Sequence, residues 1–286
     1  MDETTAEAQI PTSGLALNVS RAVVTDYYVV GNVLSEQKEF AFKVFVRLNA
    51  KKKTFRNVSF LHCIFDGCYL YNCTFDSCDF TGCRFLGSNL HQSAFTGCTF
   101  DFATFERSEI DDDILASEAP RAENLRRRFA RSLRINYQQL GDAKAVNKAI
   151  SLELEATSLY LYKSWRSGET YYRKKYPGLL NGIAQFLRWS EFRILDFVWG
   201  NGESILKLLR SIVLSVIMIA AYDTNAQGNP LTIGFYWNSF QGAPAVFLGV
   251  VSPSYFSVAA LSTIAGTRLV SIALLIALLV KRFSWR

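Results

Sequence analysis

Residues 55–110 read FRNVS FLHCI FDGCY LYNCT FDSCD FTGCR FLGSN LHQSA FTGCT FDFAT FERSE I when broken every five positions. A large apolar residue opens every block: Phe55, Phe60, Phe65, Leu70, Phe75, Phe80, Phe85, Leu90, Phe95, Phe100, Phe105 and Ile110. A period of five fits neither an α-helix (3.6) nor a strand (2), so the segment is a repeat architecture. Two positions before most of these stands a small residue: Val58, Cys63, Cys68, Cys73, Cys78, Cys83, Ser88, Ser93, Cys98, Ala103 and Ser108. All six cysteines occupy this slot, so they read as packing elements rather than a disulfide framework, in a reducing compartment. CxxxxC spacing does not match zinc sites, and neither metal nor cofactor is expected.

With a small residue two before a central Leu or Phe, the stretch resembles the pentapeptide-repeat family. The resemblance implies a right-handed quadrilateral β-helix with four pentapeptides per coil. Twelve blocks then make about three coils, roughly 15 Å tall at the strand spacing of a sheet. Phe60, Phe65, Leu70, Phe75, Phe80, Phe85, Leu90, Phe95, Phe100 and Phe105 would fill its core. Residues 20 apart would stack, placing Cys83 over Cys63 and Cys98 over Cys78. Some family members are acidic DNA mimics. Here six acids face three bases between Thr54 and Ile110, a mild excess, and a nucleic-acid role is not expected.

Upstream, Ala22–Val30 and Glu39–Leu48 are β-rich and read as strands capping the first coil, within a cap domain of residues 21–54. Residues 1–20 read as a disordered tail. Met1–Gln9 is acidic and lacks an apolar stretch behind a basic start, so no signal peptide is expected.

Downstream, residues 114–200 read as a basic helical linker. Leu125, Phe129, Leu133 and Tyr137 recur every fourth residue among Arg126, Arg127, Arg128, Arg131 and Arg134, which makes an amphipathic helix with a basic face. Gly141-Asp142 ends it and opens a second helix from about Ala143 to Lys163. The pair looks like a tetratricopeptide-type hairpin, whose apolar face needs the β-helix, a partner or a membrane surface. Tyr171–Tyr176 and Phe186–Trp199 read as interfacial helices. His62 and His91 are the only histidines, and nothing beside them completes a catalytic set. No enzyme signature is present.

The net charge of +6 conceals a polar front and an apolar tail, residues 201–286. Ile205–Ala221 and Thr263–Val280 read as short membrane spans, with Lys207, Arg210, Lys281 and Arg282 at one side. That bias places both termini in the cytoplasm of a multi-pass inner-membrane protein. Ala243–Leu261, broken by Pro244, Gly249 and Pro253, reads as a re-entrant half helix. Within it, Ser254-Tyr-Phe-Ser-Val-Ala-Ala-Leu-Ser-Thr-Ile264 resembles the pore helix of two-transmembrane potassium channels, and Arg268-Leu-Val-Ser-Ile272 the start of their inner helix. Together with Gly200-Asn-Gly-Glu-Ser204, these features are similar to bacterial pentapeptide-repeat proteins fused to such a pore module. Ser262, Thr263, Ile264, Ala265, Gly266, Thr267 and Arg268 would then hold the selectivity-filter position. The second glycine, the tyrosine and the acid of a potassium filter are absent. A ring of Arg268 at the outer mouth would favour anions; otherwise 262–267 is a polar corner between half helix and span.

Two functions follow from this reading. One is a homo-oligomeric pore, tetrameric if channel-like, assembled or gated by the cytosolic repeat module; its opening would depolarise the membrane, which suits a prokaryotic stress or defence effector. The other is a membrane-tethered scaffold whose β-helix binds a cytosolic protein, with lipid as the partner of its tail.

Overall fold

A computed structural model describes residues 21–34, 40–227 and 233–284. The expectation for residues 1–20 lies outside them. The chain divides into two units, residues 1–157 and 158–286, with the division inside a single helix.

In the first unit nine short strands among the described residues form two parallel sheets. One holds β1 (Val23–Thr25), β3 (Val44–Val46), β5 (Ile64–Asp66), β7 (Arg84–Leu86) and β9 (Thr104–Glu106), in that order. The other holds β2 (Val33–Leu34), β4 (Thr54–Arg56), β6 (Thr74–Asp76) and β8 (Ala94–Thr96). Two further faces are held by single bridges, such as Asn49–Tyr69–Asn89–Glu109 and Ser59–Asp79–Thr99. These four faces make a quadrilateral β-solenoid of about four turns.

The height differs from the expected three coils because the period continues upstream of Phe55 in disguise. Phe40, Phe45 and Ala50 take the central positions, and a small alanine there hides the pattern. The segment 21–54, expected as a capping domain, enters the same two sheets: Val24 pairs with Phe45 and Val33 with Phe55.

Why this chain winds so regularly is visible in one pentad. The central Phe points in, and the residue two after it takes a left-handed conformation, as at Asn57 (φ 55°), His62 (φ 55°) and Asn72 (φ 56°). That conformation is unfavourable for a non-glycine residue. It is maintained because the amide there donates to the next coil, Asn57 to Asp76 O (2.9 Å) and His62 to Thr81 O (2.8 Å). Inside, aromatic rings stack coil on coil. Phe65, Phe85 and Phe105 follow at 4.9 and 5.0 Å, and Phe60, Phe80 and Phe100 at 5.2 and 5.0 Å. Leu70 and Leu90 sit with Ala50 and Ile110 in the same buried cluster, and Phe75 and Phe95 stack at 5.1 Å.

Helix α1 (Ile114–Ser117) leads to α2 (Glu123–Leu140), whose Gly141 cap is left-handed (φ 76°), and to α3 (Ala143–Arg166). Phe129, Leu133 and Tyr137 of α2 are buried, as are Ala145 and Ala149 of α3. Phe129 lies on the last coil, 5.8 Å from Phe100 and 6.0 Å from Phe105. Of the three surfaces the hairpin could have covered, its apolar face takes the β-solenoid.

The second unit contains α4 (Thr170–Lys175), α5 (Leu179–Trp199), α6 (Ile205–Ala226), α7 (Ile233–Leu248) and α8 (Val258–Ser284). Helix α6 and the Val258–Lys281 part of α8 are long and apolar enough to cross a membrane. At 1.5 Å per residue they measure about 33 and 36 Å, longer than the short spans expected. They run antiparallel: Lys281 near the end of α8 bonds Glu203 just before α6, while Tyr222 near the end of α6 meets Phe256 just before α8 (4.9 Å).

Candidate functional site

The segment between the two long helices carries the most unusual geometry of the second unit. Helix α7 packs along the C-terminal half of α6, with Ala243, Val246 and Phe247 against Ile219 and Ala220. It ends at Gly249 (φ 78°), where the Gly249 amide donates to Val246 O (3.0 Å) and the Val250 amide to Ala245 O (2.9 Å). Gly249 lies against the guanidinium of Arg268, so a methyl group at 249 would overlap Nη1. Arg268 sits ten residues into α8, about 15 Å from its start. Residues 250–257 then return to the end of α6. There the Tyr255 hydroxyl donates to Asp223 Oδ1 (2.6 Å), and Gln227 Nε2 donates to both Tyr255 (3.1 Å) and Asp223 (3.0 Å). The chain therefore runs as a 16-residue helix and returns as an irregular segment of turn and coil.

This corrects the sequence reading in position and in kind. The stretch Ala243–Leu261 is not one half helix: α7 ends at Leu248 within it and α8 begins at Val258, so the pore-helix-like 254–264 is split between the connecting segment and α8, and no filter-like corner exists at Ser262–Thr267. Ser262, Thr263, Ile264, Ala265, Gly266, Thr267 and Arg268 all lie within the uninterrupted α8. The hydroxyls of Thr263, Thr267 and Ser271 donate to the carbonyls of Ala259 (2.8 Å), Thr263 (2.9 Å) and Thr267 (2.8 Å), one turn back. A polar-looking run thus satisfies itself inside a helix, and its carbonyls are committed to the helix instead of facing an ion. Thr263, Ile264 and Thr267 help line an apolar groove of about 470 Å³ with Ser215, Met218 and Tyr222. Arg268 lies well inside α8 and not at an outer mouth. The breakers Pro244, Gly249 and Pro253 were the legible signal; the closeness of Gly249 to Arg268 was not.

At the other end of these helices the charges converge. Lys207 Nζ meets Asp196 Oδ1 (2.8 Å), Lys281 meets Glu203 and the Gly202 carbonyl (3.1 Å), and the Arg210 guanidinium lies over the Phe197 ring (4.4 Å).

In the first unit the small-residue slot has a chemistry of its own. The cysteines, Ser88 and Ser93 donate to a carbonyl 23 positions earlier, on the coil beneath: Cys68 Sγ to Phe45 O (3.3 Å), Cys78 to Phe55 O (3.4 Å), Cys83 to Phe60 O (2.9 Å), Ser88 Oγ to Phe65 O (3.1 Å). Burial pushes the Cys63 and Cys68 thiols up to about 11, and Cys83 upward as well. These are protonated, unreactive sulfurs. Among the described residues no three His, Cys, Asp or Glu side chains are grouped to hold a metal ion. His91 Nδ1 pairs with Asp111 (2.6 Å), and His62 stacks on Phe42 (5.4 Å).

The pentapeptide-repeat pattern, in eight copies, matches residues 63–101 and again 75–109. Residues 63–109 are a pentapeptide-repeat solenoid. Solved structures overlapping it include a pentapeptide repeat protein from the Arabidopsis thaliana thylakoid lumen, at 18% identity over 31% of this chain and 72% of that one, TM-score 0.16. Two trypsin-treated forms of QnrB1, a plasmid-mediated fluoroquinolone resistance protein, overlap at 14% and 15% identity over 32% of this chain, with TM-scores of 0.16 and 0.11. The chain spans 64% and 54% of those two chains. No curated protein sequence matches the chain.

The upper end of the pentapeptide-repeat solenoid is closed by side chains that stand in for a missing coil. In lower coils the slot amide donates to the hydroxyl of the slot serine one turn on: Cys68 N to Ser88 Oγ (3.0 Å), Ser88 N to Ser108 Oγ (3.2 Å). At the end, Cys98 N donates to Glu118 Oε2 (2.6 Å) and Ser108 N to Asn136 Oδ1 (2.7 Å), while Asn136 Nδ2 donates to Ser108 O (2.7 Å). Ser132 and Gln139 of α2 accept from Phe105 N (2.9 Å) and Arg107 N (3.0 Å). An open parallel edge would otherwise template further pairing.

Proposed function

We propose that the chain forms a homo-oligomeric membrane pore through residues 201–286, which the pentapeptide-repeat module assembles or gates. One observation carries this: the irregular return segment 250–257 lies, along the chain, between two helices of membrane-spanning length. Among the described residues the amides of Ser252, Ser254 and Tyr255 find no protein acceptor. In hydrocarbon each such group costs several kcal/mol, so backbone of this kind survives only where protein covers it or it lines a water-filled cavity. Val250 (77% exposed) and Val251 (49%) beside them are open to contact. A second copy of this chain, or water in a shared pore, meets the need; lipid does not. Lys207, Arg210 and Lys281 share one end of the two spans and favour a cytoplasmic location for it in a bacterial inner membrane.

The uninterrupted α8 favours a second reading, in which the helices are only an anchor and the solenoid faces bind a protein. Neither reading needs catalysis, and the filled solenoid interior leaves no room for a pocket. Purified full-length protein in a planar bilayer with asymmetric salt separates the two. Discrete currents with a defined reversal potential support the pore. Silence from protein whose insertion has been verified favours the anchor.

A further inference from the structure

The contact between Gly249 and Arg268 deepens the pore reading and rests on it. A half-length helix that ends inside a membrane points its C-terminal carbonyls, the negative end of its dipole, at the interior. Broken helices that coordinate cations at membrane depth use such ends for that purpose. In α7 the last turn leaves the carbonyls of Phe247 and Leu248 without backbone donors among the described residues, since the amides of Gly249, Val250 and Val251 turn back to Val246 and Ala245. A cation lies beside that end. The Arg268 guanidinium packs directly on Gly249, the residue that closes the helix, and only glycine leaves room for it. No described carboxylate pairs with Arg268; Asp223 is engaged by Tyr255 and Gln227 at the far end of α6. A charged side chain without a counter-ion, ten residues into an apolar helix, is costly and points to function.

We infer that Arg268 is a tethered cation seated at the inner end of the re-entrant helix α7, where a permeating metal cation would otherwise be stabilised, and that it holds the pathway closed to cations. The alternative role, an arginine lining the path and attracting anions, predicts the opposite response to neutralisation.

The test uses full-length protein in liposomes, with potassium and chloride fluxes measured separately for the wild type, Arg268→Gln and Gly249→Ala. Thermal melting and native mass confirm that each variant is folded and assembled. Arg268→Gln is expected to raise potassium flux at least tenfold and leave chloride flux within twofold. Gly249→Ala, which displaces the guanidinium without changing any charge, is expected to act in the same direction. Equal potassium flux in the wild type and Arg268→Gln overturns the seated-cation role while leaving the pore standing. Selective loss of chloride flux in Arg268→Gln overturns it in favour of an anion-lining arginine. Absence of any flux from all three assembled proteins overturns both the role and the pore.

Discussion

Phe80 shows what a single residue does in the solenoid. It is fully buried, stacked between Phe60 and Phe100 and touched edge-on by the Phe75 ring (5.3 Å). Truncating such a side chain removes its burial and leaves a cavity that stacked neighbours cannot fill. Phe80→Ala should therefore destabilise the protein by about 3–5 kcal/mol. Phe102→Ala, at an exposed corner, should change it by under about 1 kcal/mol. Urea unfolding of the full-length protein in detergent measures both. The buried thiols give a pH dependence. Burial raises Cys63 and Cys68 to about 11, against about 8.5 in an unfolded chain. Between those values the unfolded state has released protons that the folded state still binds, so stability is complete below pH 8.5 and falls as pH rises toward 11. Melts at pH 7, 9 and 10.5 should show this fall. The double variant Cys63→Ser, Cys68→Ser should show a shallower one. At this scale residues 55–110 were legible in the sequence, because a period of five sets a large and a small inward position in each block, whereas Ala50 hid the same period upstream.

Helix α2 was legible only in part. Its apolar stripe was plain, and the stripe explains Phe129 over Phe100. The parallel polar row Ser132, Asn136 and Gln139 carried no recognisable signal, since its meaning depends on amides presented by a coil far away in sequence. Asn136 is buried and holds both polar groups of Ser108. Asn136→Leu should strand both, at roughly 1–3 kcal/mol each. Hydrogen exchange at Ser108 should then accelerate far more than in Gln139→Ala, whose contact to Arg107 is exposed. Unchanged protection at Ser108 would show that α2 holds the edge by its apolar face alone. Helix α8 teaches the converse lesson. Thr263, Gly266 and Thr267 invited a break by resemblance, but threonine hydroxyls bonded one turn back keep such a run helical.

For the molecule as a whole, the two helices long and apolar enough to cross a membrane predict behaviour that the solenoid does not share. The full-length chain should stay with membranes through alkaline carbonate extraction, and a chain ending at Gly200 should be released. If copies cover one another's return segments, Val251→Cys should give disulfide-linked species under mild oxidation. The native thiols, five of them buried in the solenoid and Cys98 half-buried, should give none. Val251→Cys that stays monomeric within an assembled oligomer would place the return segment against water instead of a second copy.

The sequence by itself determined the solenoid, its inward residues, the small slot, the basic hairpin and the two apolar helices, because each rests on a period or a composition that a local window contains. Only the tertiary structure decided the number of coils, the closing of the upper edge by Glu118 and Asn136, the bounds of α7 and the position of Arg268. Each of these depends on which groups meet across long separations: Ala50 inside a coil, Asn136 under a strand end, Gly249 beneath an arginine nineteen positions on. Periodicity says which way a side chain faces; only packing says what it faces.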